Sequence, residues 1–413
     1  MDGGDRCIIA GGGPAGMMLG FLLARAGILV TVLEKHADFL RDFRGDTIHP
    51  STLQLMRELG LLDDFLKLPH QKAYELRGRV GSDELTFADF RHLPNGIGYV
   101  AFMPQWDFLD FLADAGRRYP QFDLRMRAEA TGLLEENGRV VGLRVKTADG
   151  EIELRGNLVI AADGRGSILR DRAGLRIEDQ GAPMDVLWFH MPRLPTDPSD
   201  VMGVFDAGRI VVLIHRGTYW QCALVIKKGS HAELQASGLK PVQDALLKAA
   251  PFLGERVRGL DDWDKLKLLV VKVDRLMRWH RPGLLCIGDA AHAMSPVGGV
   301  GINLAIQDAV AAANILWRPL RERRVADGDL ARVQARRMFP TRVVQRMQVF
   351  MQRTVIAGLL GSAEATIRAP WILRQLTRLP LFQRIPARII GLGVRPEHIH
   401  SPELAPNLSA RKD

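Results

Sequence analysis

The run Cys7-Ile-Ile-Ala-Gly11-Gly-Gly13-Pro14-Ala15-Gly16, with Glu34 closing the next apolar run, constrains the fold of this 413-residue chain more than any other feature. An apolar strand enters a G-x-G-x-x-G turn, a helix follows, and a second strand ends in a carboxylate. Gly11 permits the tight turn, Gly13 lets backbone amides approach a pyrophosphate, and Gly16 lets the helix pack close to the strand. The helix start supplies unpaired amides and the positive end of its dipole. Glu34, followed by Lys35, stands where ribose hydroxyls would be bound. A carboxylate there repels a 2′-phosphate, so the site favours FAD or NAD over NADP.

Two later motifs narrow the choice. Leu158-Val-Ile-Ala-Ala-Asp163-Gly164-Arg165-Gly166-Ser167 is again a buried strand ending in an acid and a glycine. Leu284-Leu-Cys-Ile-Gly288-Asp289-Ala-Ala-His292 is a third, and its Gly-rich loop, Pro296-Val-Gly298-Gly299-Val-Gly301-Ile302-Asn303, opens a long apolar helix. A carboxylate at a strand end can bind sugar hydroxyls, and a helix start can hold an electron-rich group.

These three motifs, in this order, resemble the group A flavoprotein monooxygenases, the family of para-hydroxybenzoate hydroxylase, over about residues 6–320. The resemblance implies that Arg44 and Gln105 contact FAD, that Asp289 holds its ribityl chain, and that Ala130 lies against the adenine. It gives Asp163 a dual role toward FAD and the nicotinamide donor. Pro296, Gly299, Gly301, Ile302 and Asn303 would lie beside the isoalloxazine ring, with Pro296 and Asp163 as the catalytic positions. The implied fold is α/β: a Rossmann-type FAD-binding domain (1–75, 99–182 and 274–320), an inserted antiparallel substrate-binding sheet (76–98 and 183–273), and a C-terminal helical region (321–413). The implied reaction uses NADPH or NADH and O2 to hydroxylate an aromatic or similarly electron-rich small molecule through a flavin hydroperoxide. A single dinucleotide fingerprint suits a family with no separate nicotinamide domain.

Composition fits an enzyme of this kind: 47% hydrophobic and 25% charged residues are ordinary globular values. Cys7, Cys222 and Cys286 sit in apolar runs without a C-x-x-C, which argues for core positions and against a disulfide scaffold, a zinc site or a disulfide reductase. No signal peptide or membrane-spanning run is expected, and the expected compartment is the cytoplasm. The net charge of +9 is uneven. Residues 318–413 hold 18 basic and 7 acidic residues, a net +11, which leaves the preceding part at −2. Within 371–390, arginines alternate with large apolar residues. Two readings of that pattern stay open: a helical layer packed on the body, or a face lying on an anionic membrane surface. Nucleic-acid binding has no recognisable module behind it.

Helix signals cover 14–26, 50–59, 106–119 and 301–317, and a strand–turn–strand covers 124–145 around Asn137-Gly138. Runs at 186–191, 209–215 and 219–226 read as an antiparallel sheet, with a further strand at 266–273. By resemblance this sheet roofs the flavin ring, and strand position alone nominates Trp188, His190, Leu213, His215 and Trp220 as substrate contacts. His49 is a further candidate from the segment after Arg44. No side chain stands out as a base. The WxWxIP stretch of flavin-dependent halogenases is absent. A flavoprotein reductase of polyprenyl or unsaturated chains, and a flavin module without oxygenase activity, remain as alternatives.

Overall fold

The β-strand Cys7–Ala10 sits at the centre because every one of its side chains is apolar and buried. In the computed structural model, described over residues 6–40, 47–198, 202–206, 208–361 and 371–404, it pairs in parallel with Val30–Leu33 on one side and Leu158–Ala161 on the other. The complete sheet runs His280–Arg281, Leu284–Cys286, Leu158–Ala161, Cys7–Ala10, Val30–Leu33, Phe122–Arg125. Only the His280–Arg281 edge is antiparallel. Near-continuous apolar strands of this type are buried on both faces, as a parallel sheet requires. Helices Pro14–Arg25 and Gly301–Arg321 pack on the sheet and share its core. All three acid-bearing motifs thereby end at the same edge of one sheet.

The hairpin at Asn137-Gly138 forms as expected, joining Glu129–Glu136 to Arg139–Thr147 with both turn residues at positive φ. The expected strand start at Leu124 belongs elsewhere: Phe122–Arg125 pairs with Val30–Leu33 in the parallel sheet. The expected strand at 266–273 shortens to Lys267–Leu269, and the expected helix at 301–317 extends to Arg321.

A second sheet runs Lys267–Leu269, Met184–Pro192, Tyr219–Lys227, Arg209–His215, Met202–Asp206, Glu75–Val80, Asp83–Asp89. Its pairings are antiparallel except for Met202–Asp206 against Glu75–Val80. One face carries Leu187, Phe189, Leu213 and Trp220 and is covered by helix Lys240–Ala249 through Val242 and Leu246. The other carries Trp188, Val212 and Ile214 and closes over Phe102 and Val297.

The basic C-terminal region is helical. Helix Asp327–Met351 lies along Gly301–Arg321, passes into a π-helical turn at Gln352–Ile356, and continues as Ala357–Gly361. Helix Pro380–Gly391 packs beside Asp83–Asp89 and buries Ala387 with Phe90 and Leu93, while Leu381, Phe382 and Ile385 stay exposed. Among the described residues one stretch, Val297–Arg321, is long and apolar enough to cross a membrane. Its most apolar eighteen-residue window is 72% buried inside the protein, as befits a core helix.

Candidate functional site

The three glycines of the first turn divide by what surrounds them. A Cβ on Gly11, whose φ is +109°, would lie 2.2 Å from the Ala162 carbonyl oxygen, and one on Gly16 would lie 1.9 Å from the Gly11 oxygen. Both are fixed by protein packing. At Gly13 a Cβ would meet no atom within 4 Å, so this position faces the open side where a ligand backbone can approach. Pro14 occupies the first helical turn, where its missing N–H costs nothing, and the first-turn amides of Ala15 and Gly16 have no intrahelical partner. Glu34 is buried and accepts from Gly12 N at 3.2 Å and His36 N at 3.0 Å. These bonds fix the carboxylate beside the turn, whereas Lys35 points into solvent. The rim is completed by Ala128, whose N–H donates to Glu34 O, and by Ala130, half-buried against the core.

Asp163 and Asp289 close the other side. Asp163 Oδ2 accepts from Leu169 N at 3.3 Å, while Oδ1 is buried with no partner among the described residues. Burial pushes this carboxyl above the usual carboxylate range. Asp289 Oδ2 accepts from Arg165 Nη2 at 3.2 Å, and Arg165 Nη1 is likewise buried and unpartnered. Arg170 steadies both loops, donating to Ala290 O at 3.3 Å and Arg165 O at 3.0 Å. Gln105 opens helix Gln105–Gly116 and is half-buried. Arg44 lies outside the described residues.

The ring-side loop is tied down by side chains. Asn303 Oδ1 accepts from Thr52 Oγ1 at 2.7 Å and His49 N at 3.1 Å, and its Nδ2 donates to Thr47 O at 3.3 Å. Thr47 Oγ1 donates to Gly299 O at 3.0 Å. Asn303 thus positions the start of helix Gly301–Arg321, leaving the first-turn amides around Gly301 and Ile302 to meet a ligand. Pro296 and Val297 are held from behind: Gln348 Nε2 donates to Ser295 O at 3.0 Å and Val297 O at 2.9 Å, and its Oε1 accepts from Ser295 N at 3.1 Å. His49 is buried with Nδ1 2.7 Å from Ile390 O; since a carbonyl only accepts, Nδ1 carries the proton. Burial pushes its pKa down to about 4, which keeps the ring neutral.

Strand alternation separates the nominated substrate residues. Trp188 and His190 share the face that carries Val212 and Ile214, toward Phe102 and Val297. Leu213, His215 and Trp220 lie on the opposite face. Leu213 and Trp220 are buried under helix Lys240–Ala249, the His215 ring is 5.8 Å from that of Trp220, and Trp220 Nε1 donates to Asp197 at 2.9 Å. Sequence reasoning missed Arg216 on the inward face. Its guanidinium lies 5.8 Å from the Phe102 ring centre and donates to Gln221 at 3.0 Å. It also missed Arg165, although that residue stands inside the second motif.

The residues present fit FAD: an open approach at Gly13, an acid fixed beside the first turn, an unsatisfied buried carboxylate oxygen at Asp163, and two helix starts at the same end of the parallel sheet. We expect Gly13→Val to fold with a wild-type circular dichroism spectrum and to purify without flavin, because only the ligand side is filled. Gly16→Val is expected to be insoluble. A yellow Gly13→Val protein with full flavin content contradicts this assignment.

Comparison with known proteins agrees with the geometry. A family model described as "FAD binding domain" matches residues 6–347. The 6-methylpretetramide 4-monooxygenase of Streptomyces rimosus is 32% identical over 393 residues, covering 93% of this chain and 91% of that one. The dialkyldecalin synthase of Streptomyces rugosporus is 26% identical over 326 residues, and this chain spans 65% of its length. Among solved structures, p-nitrophenol 4-monooxygenase PnpA of Pseudomonas putida DLL-E4 superposes with a TM-score of 0.74 at 19% identity, covering 94% of this chain and 95% of that one. With a family match across most of its length, and these residues gathered at one end of the parallel sheet, the chain belongs to the FAD-dependent, aromatic hydroxylase-like monooxygenases.

Proposed function

We propose that this enzyme uses NADH or NADPH and O2 to hydroxylate an aromatic, electron-rich small molecule. The observation that carries the reading is the juxtaposition of the cofactor-side loops with an apolar sheet face. The Pro296–Val297 loop and the inward face of the second sheet meet at Val297, Val212 and Trp188. FAD, when bound, supplies hydride acceptance and oxygen transfer. The open face at Gly13 and the first-turn amides of Ala15 and Gly16 would hold its pyrophosphate, Glu34 its ribose, and Asp289, oriented by Arg165, its ribityl chain. The helix start at Gly301–Asn303 presents positive dipole and free amides to negative charge on the reduced ring. Trp188, Val212, Ile214 and Phe102 exclude water from the reacting centre. His49, neutral and bonded to Ile390 O, orients the chain rather than moving protons.

One relative is named a synthase and not a monooxygenase, which keeps open the competing reading of a flavin module without oxygenase activity; a reductase of unsaturated chains is the other. Stoichiometry separates them. Across a panel of phenols, naphthols and N-heteroaromatics, a true substrate is expected to accelerate flavin reduction and to consume NAD(P)H and O2 one to one with little peroxide. Reducing equivalents that emerge wholly as peroxide, or as a saturated product without O2, would falsify the hydroxylase reading.

A membrane-surface contact is favoured as an additional property by one feature. Trp371 and Leu381 are each 67% exposed, with Phe382 and Ile385 exposed nearby, among Arg374, Arg378 and Arg384. The protein is expected to sediment with phosphatidylserine-containing vesicles at low salt and to release at high salt, as screening weakens the arginines. Absence of binding at low salt leaves these helices a packing role alone.

A further inference from the structure

The buried face of the C-terminal helix is a polar stripe. Arg337, Thr341, Gln345, Gln348 and Gln352 follow one another at spacings of three or four residues, and each is at most 1% exposed. Four of the five are fully occupied by the fold. Arg337 Nε donates to Asp308 at 2.9 Å, and Thr341 Oγ1 donates to Arg337 O at 2.9 Å. Gln345 Nε2 donates to Asp274 O at 2.7 Å and Ala293 O at 3.2 Å. Gln348 holds Ser295 and Val297 as described above. Gln352 differs. It is wholly buried, and neither its amide oxygen nor its amide nitrogen has a partner among the described residues.

The neighbours of Gln352 along the stripe define where it sits. Gln348, one turn before, reaches Val297 O. Ile356, one turn after, packs in the cluster that contains Val297, Val212 and Trp188. Gln352 therefore lies at the wall between the Pro296–Val297 loop and the inward face of the second sheet. It also begins the π-helical turn Gln352–Ile356, a distortion that recurs at functional sites because it re-aims side chains. A buried amide left without partners costs folding free energy, and a protein that retains one commonly uses it.

Building on the monooxygenase reading above, we infer that Gln352 is a specificity-determining substrate contact, and that it takes a neutral ring substituent offering a donor and an acceptor side by side, a hydroxyl next to a carbonyl or carboxamide. The amide presents one C=O and one NH2 on the same edge, the complement of such a pair. No ionisable residue stands on the stripe itself between Thr341 and Leu359, and the charge that reaches it, the Arg275 guanidinium, is already bonded to Gln345 Oε1 at 2.9 Å, so the position suits a neutral substituent. A site built to hydrogen-bond a substituent discriminates strongly against the analogue lacking it.

The test uses the FAD-loaded enzyme, with Gln352→Met and Gln352→Leu as apolar replacements of similar volume. Two probes are titrated against the flavin absorbance: 3-hydroxy-2-naphthamide, which carries the paired groups, and 2-methylnaphthalene, which does not. The wild type is expected to prefer the hydroxynaphthamide at least tenfold, and the variants less than threefold. Without probe, the variants are expected to melt about 2 °C higher, because an unpaired buried amide has been removed. A melting temperature that is unchanged or lower, failure of both variants to fold, or a wild type without the preference overturns the inference. Flavin content and NAD(P)H-dependent reduction are recorded on the same wild-type samples. Their loss sinks the monooxygenase reading, whereas an intact, reducible holoenzyme whose preference survives in the variants sinks the Gln352 assignment alone.

Discussion

Asp308 is the joint on which the cofactor loop and the C-terminal helix both depend. It is fully buried, and it accepts from Gly288 N at 3.1 Å and from Arg337 Nε at 2.9 Å, with His292 Nε2 at 2.6 Å. Burial alone would raise its pKa. The neighbouring His292 and Arg337 outweigh that and hold the carboxyl below the usual range. A carboxylate taken out of water costs several kcal/mol unless its lone pairs are met, and here each oxygen is. Arg337 in turn donates to Glu397 at 3.1 Å and to Arg395 O at 3.2 Å. One charge network therefore links the Gly288-Asp289 turn, the ring-side helix, the long C-terminal helix and the tail that follows it.

The same helix face carries on where the charges stop. Gln345 and Gln348 satisfy backbone groups of residues 293–297, which would otherwise be buried polar atoms in a loop without regular structure. On the far side, Asn303 and Thr47 hold the start of the ring-side helix. The loop bearing Pro296 is thus gripped from two directions by side-chain amides. This gives a reason for the C-terminal helix beyond covering the core: it sets the shape of the segment that would lie beside the flavin ring.

Much of this was legible in the sequence, and the limits have physical causes. The strand–glycine–helix–acid unit could be read because Gly11 and Gly16 answer to local backbone geometry. The partner of Phe122–Arg125 lies some ninety residues away, and no local pattern announces a parallel neighbour. The face of each substrate-sheet strand was hidden because Tyr219–Lys227 is almost continuously buried and Val186–Phe189 is an unbroken apolar run, which silences in the sequence the two-residue alternation that normally tells inside from outside. Hence Leu213, His215 and Trp220 could not be separated from Trp188 and His190. The polar stripe did leave a trace, Arg337, Thr341, Gln345, Gln348 and Gln352 at helical spacing. Polar residues in an arginine-rich segment ordinarily read as a solvent face, and here they are the buried one. The Arg165–Asp289 pair spans 124 residues and emerges only once two strands of the parallel sheet are adjacent.

The C-terminal helix fixes the Pro296 loop through its amide side chains. Hydrogen–deuterium exchange over residues 293–299 of the FAD-loaded Gln348→Leu protein tests it directly. Ser295 N–H and its neighbours are expected to exchange roughly tenfold faster than in the wild type, with the fingerprint helix Pro14–Arg25 unchanged. Unaltered protection across 293–299 would show that the loop keeps its shape without the Gln348 amide, and that the helix does not fix it.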